Sequence, residues 1–317
     1  NNKANHYDLI YAVSNPPINS FVGLKLKKTY NAPFIYMNWD LYPQIIEESI
    51  SNKIVKIICS LWAKWNIKNF PMIDRIVTIG STMADSINKQ IEKQINIDVI
   101  PIAVDTSKLK PIAKENNLFC INNNLVDKFI VLYSGKMGLG HNIEIILNAA
   151  KKLKYLEDIC FVFIGGGQKY PVGESFIKEH NSTNIKLYSL QPDSMFPYSI
   201  ACGDIGIVTQ ETKMAHLFMP SKTYSMMACG EAIIGIGSDH DDLHDLITTE
   251  EIGISITDND VDRLVYAILY LYNNPEILRR YKNNSRSVAE KKYSKETVIR
   301  QYEQLFDSFI LQDVDIK

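Results

Sequence analysis

Leu132-Tyr133-Ser134-Gly135-Lys136-Met137-Gly138-Leu139-Gly140-His141 is an apolar run that breaks into glycines and then gives way to a helical apolar pattern. This order predicts a strand, a tight glycine turn and a helix, with Lys136 carried just past the strand end. Further along, Pro220-Ser221-Lys222-Thr223-Tyr224-Ser225-Met226-Met227-Ala228-Cys229-Gly230 repeats the plan. Ser221 reads as an N-cap, Lys222 as the start of a short helix, and Gly230 as the residue that ends it. Each segment sets a cation beside backbone donors at the start of a predicted helix, an arrangement suited to a diphosphate.

On either side of these segments, apolar runs alternate with amphipathic stretches, the pattern of a parallel sheet flanked by helices and hence of an α/β fold. Two sets of strands are predicted. The first comprises 8–13, 34–38, 75–79 and 97–102; the second comprises 129–133, 160–164, 185–189, 204–208, 232–236 and 252–255. Between the sets, residues 111–127 are rich in asparagine, and Asn122-Asn123-Asn124 lacks any apolar periodicity, so this stretch is read as a linker. From Ser294, a final helix carries Val298, Tyr302, Leu305, Phe306 and Phe309 as an apolar stripe that needs a partner surface.

In the same order stand Phe163-Ile164-Gly165-Gly166-Gly167 and Gly203-Asp204-Ile205-Gly206-Ile207-Val208. Together with the two lysine segments they resemble glycosyltransferase family four, in particular its bacterial surface-polysaccharide branch. That branch pairs a Tyr-Ser-Gly-x-x-Gly-x-x-His loop with Pro-Ser-Lys-x-Tyr-x-x-Met-Ala-x-Gly. The resemblance covers residues 128 to 300, with weaker similarity back to residue 8. It implies the GT-B architecture: two Rossmann-like, doubly wound domains facing each other across a cleft. The expected division is an acceptor-side domain over 1–110, a linker over 111–127, a nucleotide-sugar domain over 128–293, and a helix over 294–317 that crosses back to the first domain. The first set of strands lacks the family's opening strand and glycine-rich loop, so the first domain is expected to be incomplete at its start.

Composition permits this reading without demanding it. The chain has 317 residues, 46% hydrophobic and 22% charged, which gives room for two domains, and its net charge of -2 argues against a general nucleic-acid binder. Cys59, Cys120, Cys160, Cys202 and Cys229 are scattered with no Cys-x-x-Cys, which suits a reduced, cytoplasmic protein. No stretch reads as a signal peptide or a membrane span.

The resemblance also assigns roles. Lys136 and Lys222 would stabilise a departing diphosphate as the bond from sugar to phosphate breaks, with the helix from Ser221 supplying amides. Gly135, Gly138 and His141 would form the loop under the donor. Gly165 and Gly166 would admit the ligand close to the backbone, and Leu190 and Gln191 would lie where the family packs the base. Many relatives outside this branch carry two glutamates separated by seven residues, the second of which binds the ribose hydroxyls; here Leu217 and Ser225 occupy those positions, which leaves Ser225, Thr223 or Glu211 as replacements. Glu211 and His216 are candidates for the donor sugar, and a plain surface role for His216 stays equally open. Asp40, in Asn38-Trp39-Asp40-Leu41-Tyr42-Pro43, matches an Asp-Leu-x-Pro element and could position or deprotonate an acceptor hydroxyl; a turn-forming role is the other reading.

No metal and no cofactor beyond the donor substrate are expected. His240 and His244 stand four apart beside carboxylates, but acids at a helix start also suit the helix dipole. Asp258-Asn259-Asp260 and Asp313-Val314-Asp315 resemble a metal-binding motif only in composition. Residues 49–73 contain no acid, and Lys53, Lys56, Lys64 and Lys68 are read as lying opposite Ile54, Ile57, Ile58, Leu61, Trp62 and Trp65. Through residues 52–69 such a helix could rest on the inner face of an anionic membrane, with Lys25, Lys27 and Lys28 nearby; an ordinary helix packed on its sheet is the alternative. The functional expectation is a retaining, metal-independent hexosyl or N-acetylhexosaminyl transferase that moves a sugar from a nucleoside diphosphate to a glycan or lipid-linked acceptor. The alternatives are a sugar-nucleotide epimerase and a non-catalytic nucleotide-sugar-binding subunit.

Overall fold

The structure is a computed structural model that describes residues 6–91, 95–138, 141–257 and 260–310. It divides the chain into two units, each discontinuous in sequence. The first is Asn1–Ile102 with Lys213–Met219 and Glu296–Lys317; the second is Ala103–Thr212 with Pro220–Lys295.

In the first unit the order is β1 (Ile10–Val13), α1 (Asn19–Tyr30), β2 (Phe34–Asn38), α2 (Gln44–Ser49), α3 (Lys53–Asn69), β3 (Arg75–Thr78), α4 (Ser81–Ile91) and β4 (Ile97–Val99). The strands are parallel and lie in chain order. β2 is buried at every position, as expected of a strand covered on both faces. Phe34, Tyr36, Ile76 and Ile87 form the centre of this core. Met214 and Leu217 of the 213–219 segment belong to it, and the Leu217 carbonyl accepts the Leu41 N–H at 3.2 Å.

The second unit continues with α5 (Leu118–Asn122), β5 (Phe129–Lys136), α6 (Ile143–Lys152), β6 (Ile159–Gly166), α7 (Tyr170–His180), β7 (Ile185–Tyr188), α8 (Phe196–Ile200), β8 (Ile205–Thr209), α9 (Lys222–Ala228), β9 (Ala232–Ile236), α10 (Asp242–Thr249), β10 (Gly253–Ile256), α11 (Val261–Asn273) and α12 (Pro275–Val288). Its six strands are parallel in the order β10-β9-β8-β5-β6-β7. The chain therefore winds outward from β5 in one direction, then restarts at β8 and winds in the other. That reversal opens a crevice at the carboxyl ends of β5 and β8, the place where open α/β sheets bind ligands.

Residues 111–127 are not the irregular linker read from their composition. Lys114–Asn116 form a 3-10 turn, and α5 buries Phe119 and Cys120. Asn117 caps that helix, its side chain accepting from the N–H groups of Phe119 and Cys120. A five-residue helix is too short to leave a periodicity. The last helix, α13 (Lys295–Ile310), buries Val298 and Leu305, and from Glu296 it belongs to the first unit. There the Tyr302 hydroxyl donates to Met37 sulfur at 3.1 Å and Phe306 meets the edge of Tyr11.

At the amino ends of the second unit's strands, Gly203 and Gly206 serve a packing role. A Cβ on Gly203 would come within 2.8 Å of the Glu231 carboxyl, and one on Gly206 within 2.5 Å. Glu231 is wholly buried and its carboxyl oxygens have no hydrogen-bond partner among the described residues. Burial raises its pKa well above the ordinary carboxylate value, against an opposing pull from Lys282. Beside it Asp204 accepts from Lys114, from Lys282 at 3.2 Å and from the Ile130 N–H at 2.9 Å.

Candidate functional site

β5 and β6 run in register to their last residues, with Gly135 opposite Gly165 and Lys136 opposite Gly166. Lys136 is thus the final strand residue and not a loop residue past the strand. The glycines make this possible: a Cβ on Gly165 would sit 2.0 Å from the Gly135 carbonyl oxygen, and both residues have φ well into the positive region, +145 and +132. Gly166 faces open space, with nothing within 4 Å of the point a Cβ would occupy. Bonds between loops fix these strand ends. The Met137 N–H donates to Gly166 at 2.8 Å, and Lys169 reaches both the His141 carbonyl at 2.8 Å and Glu144 at 2.9 Å.

Lys222 enters this frame from α9. Its ammonium lies 4.1 Å from the centroid of the Tyr133 ring, and a Cβ on Gly135 would be 3.3 Å from it. The Nζ is shielded from solvent and has no hydrogen-bond partner among the described residues, although part of the stem stays exposed. Burial alone lowers its pKa to about 7. The aromatic face offers some compensation for lost hydration, but a cation over a ring still lacks the acceptors its three N–H groups would find in water. The Tyr133 hydroxyl donates to the Lys136 carbonyl at 3.0 Å, which fixes the ring. Tyr133 thus links the two lysine segments, a role its place in a strand did not suggest.

His141 closes the other side. Its Nδ1 lies 3.2 Å from the Thr209 carbonyl at the end of β8. A carbonyl only accepts, so Nδ1 carries the proton and Nε2 presents a bare lone pair. Desolvation, then the nearby Lys222, brings the imidazole pKa down to about 4, so the ring is neutral at physiological pH. Thr209 Oγ1 and Thr223 Oγ1 are buried without hydrogen-bond partners among the described residues, as is Lys222 Nζ. Thr209 ends β8 and Lys222 Nζ lies against Gly135 near the end of β5, so the β5–β8 reversal carries buried polar atoms that the described residues leave unpaired.

The remaining expected residues distribute as follows. Ser221 precedes α9 but has helical backbone angles and makes no side-chain cap; α9 spans seven residues, and its first turn is tied by Thr223 N–H to the Pro220 carbonyl at 3.1 Å. Gly230 ends it with φ +72, its N–H on the Met227 carbonyl at 2.9 Å. Gly138 is buried beside His141. Leu190 is 76% exposed after β7, and Gln191 donates to the Ser189 carbonyl at 2.9 Å. Ser225 and Glu211 are half-buried. Lys136 is exposed. His216 is an exposed residue of the 213–219 segment, which belongs to the first unit, where Met214 and Leu217 are buried. Leu217, at the first position of the family's glutamate pair, is a core residue of that unit.

Asp40 lies in the first unit, just beyond β2. There Ser14 Oγ accepts the N–H groups of Trp39 at 3.1 Å and Asp40 at 3.4 Å. Burial raises the Asp40 pKa.

Asp241 caps α10 by accepting the His244 N–H at 2.7 Å, and His244 Nδ1 lies 2.9 Å from Ser255 Oγ. No group of three His, Cys, Asp or Glu able to hold a metal ion occurs among the described residues. The Asp258-Asn259 part of one acidic triplet and all of Asp313-Val314-Asp315 lie outside those residues, as do Leu139 and Gly140 of the glycine loop.

A doubly wound parallel sheet with a shielded lysine at its switch point, preceded by a second parallel sheet, defines the GT-B class. Solved structures of that class superpose on the chain. Sucrose-phosphate synthase from Thermosynechococcus elongatus matches with a TM-score of 0.78 at 17% identity, over 96% of this chain and 74% of that one. HepE from Anabaena, in complex with UDP, matches with a TM-score of 0.78 at 14% identity, over 95% of this chain and 79% of that one.

The family described as Glycosyl transferases group 1 matches residues 115–288, more than half of the sequence, and the chain belongs to it. WcaI of Escherichia coli K12, provisionally described as a colanic acid biosynthesis glycosyl transferase, is 26% identical over 237 residues. WbjE of Pseudomonas aeruginosa, provisionally described as a glycosyltransferase, is 21% identical over 265 residues. These alignments take in 73% and 81% of this chain, but only 56% and 64% of the relatives' own lengths.

Proposed function

We propose that the protein transfers a sugar from a nucleoside diphosphate to a glycan or lipid-linked acceptor in the synthesis of a surface polysaccharide, with retention of anomeric configuration and without a divalent ion. One observation carries this reading: the ammonium of Lys222 is shielded, has no hydrogen-bond partner among the described residues, and lies over Tyr133 at the sheet's switch point. An isolated buried cation is unfavourable unless a ligand supplies the opposite charge. A diphosphate does so. As the bond from the anomeric carbon to the phosphate oxygen breaks, the electron pair stays on the diphosphate, and Lys222 and Lys136 would neutralise it.

Around that centre, Gly166 leaves room for the donor and the bare Nε2 of His141 can accept a hydroxyl of the sugar. Thr223, Ser225 and Glu211 are the candidates for ribose, and Leu190 and Gln191 for the base. Asp40, with its raised pKa, would position the acceptor hydroxyl. HepE was solved with UDP-glucose, which supports a nucleotide-sugar donor of this kind. The five free cysteines, all buried, suit the reducing cytoplasm, and no helix among the described residues is long and apolar enough to cross a membrane.

The test is a screen of nucleoside diphosphates and their sugars against the full-length protein, by thermal shift and by release of free nucleoside diphosphate. At least one diphosphate should raise the melting temperature, and its sugar should be hydrolysed or transferred, with EDTA making no difference and Lys222→Ala abolishing turnover. Binding without turnover would identify a non-catalytic subunit, and an epimerised donor would identify an epimerase. No binding of any diphosphate would overturn the reading.

A further inference from the structure

α3 turns an apolar surface outward. Cys59 and Asn66 are its buried positions, Trp65 stacks on Phe21 with ring centroids 3.6 Å apart, and Trp62 stacks on Tyr42. Those tryptophans, with buried Cys59 and with Asn66, whose Nδ2 donates to the Tyr42 carbonyl at 2.9 Å, attach the helix to its unit. Ile54, Ile57, Ile58 and Leu61 are 68%, 62%, 56% and 62% exposed. The isoleucines are therefore not the inward arc opposite the lysines: Lys53, Lys56, Lys64 and Lys68 are exposed with them. Lys27, by contrast, is engaged with Asp74 at 2.7 Å.

We propose that this face of α3 docks the protein on an anionic lipid bilayer. Four large aliphatic side chains left in water from Ile54 to Leu61, about two turns of helix, are costly unless something covers them. The chemistry of the cover follows from the charges. No acid occurs from residue 49 to residue 73, and lysines are interleaved with the isoleucines. A second copy of the chain would set lysine against lysine. An anionic bilayer satisfies both features, because the aliphatic groups enter the boundary of the acyl chains while the lysine stems extend toward the headgroups. This surface belongs to the first unit alone, and the inference does not rest on the sugar-transfer reading.

Co-sedimentation of the full chain with vesicles tests it. The protein should pellet with phosphatidylcholine vesicles that contain phosphatidylglycerol, remain in solution with phosphatidylcholine alone, and be released by high salt. The double variant Ile57→Glu with Leu61→Glu, and separately Lys56→Gln with Lys64→Gln, should each weaken binding roughly tenfold or more. Both pairs are solvent-facing, so the melting temperature and the thermal shift with a nucleoside diphosphate should be retained, which separates loss of docking from loss of fold. Failure to bind anionic vesicles, equal binding to both vesicle types, or undiminished binding by the variants would overturn the proposal. So would a dimer in light scattering that Ile57→Glu with Leu61→Glu dissociates, since the face would then belong to a second copy.

Discussion

The ammonium of Lys222 rests 4.1 Å from the centre of the Tyr133 ring and makes no hydrogen bond among the described residues. Holding a cation this way costs stability in the unliganded protein, and a ligand recovers it. Lys222→Met keeps the stem and removes the charge. It is expected to raise the melting temperature without ligand, by roughly 1–2 kcal/mol of stability, and to weaken nucleoside diphosphate binding by about tenfold or more. Differential scanning calorimetry with and without the diphosphate measures both.

The same lysine sets a pH dependence. Its folded pKa is about 7 against an ordinary 10.5, so between these values the unfolded chain binds the extra proton and stability rises with pH across that window. A diphosphate favours the charged form, so its affinity should fall as pH rises above about 7, and binding at mildly alkaline pH should take up a proton. Titration calorimetry in buffers of different ionisation enthalpy detects that proton, and Lys222→Met should abolish its uptake.

Two adjacent glycines should respond differently to one methyl group. Gly165→Ala drives a Cβ to 2.0 Å from the Gly135 carbonyl at φ +145, and is expected to destabilise by about 2–4 kcal/mol. Gly166→Ala meets nothing within 4 Å and should leave the melting temperature within a degree or two. It should nevertheless weaken donor binding, because the space it fills is the space proposed for the ligand. Denaturant melts and ligand thermal shifts on both variants distinguish these outcomes.

Glu231 should make the fold less stable as pH rises. Its folded pKa is raised, so its contribution is complete below the ordinary carboxylate pKa and is lost progressively as pH climbs toward the folded value. Glu231→Gln should match the parent protein in acid and exceed it at neutral pH by roughly 1 kcal/mol or more. Melting curves across pH test the crossing.

Asp40→Asn is expected to reduce acceptor-dependent turnover by about a hundredfold or more, the scale of a lost general base, while leaving nucleoside diphosphate affinity unchanged. Because burial raises the Asp40 pKa, the ascending limb of the parent's rate profile should lie above the ordinary carboxylate range. Steady-state kinetics with acceptor, set beside a donor-binding isotherm, separates the two effects.

Much of the fold was legible because buried parallel strands are written as uninterrupted apolar runs: 34–38 and 232–236 coincide with β2 and β9 to the residue. Strand ends were harder. A glycine ordinarily reads as a turn, yet Gly135 and Gly165 remain in the ladder because neither carries a Cβ that would part the strands. Lys222 stood out in the sequence, but its partner Tyr133 did not, since a tyrosine inside an apolar run looks like core until a cation is found on its face. The membership of Met214 and Leu217 in the first core was not legible for a related reason: nothing in the local pattern says that seven residues depart to another hydrophobic core. Glu231 was invisible, because a charged letter after a helix-ending glycine reads as surface, and the space prepared for it is recorded only as Gly203 and Gly206.

The excursion of residues 213–219 makes modularity a misleading idea for this chain. Both cores are assembled from non-adjacent stretches of sequence, so no single cut yields either half with all its parts. A gene fusion, domain graft or shortened expression product that treats residue 102 as a boundary would leave the amino-terminal half without Met214 and Leu217 and give the other half two greasy side chains with nowhere to go.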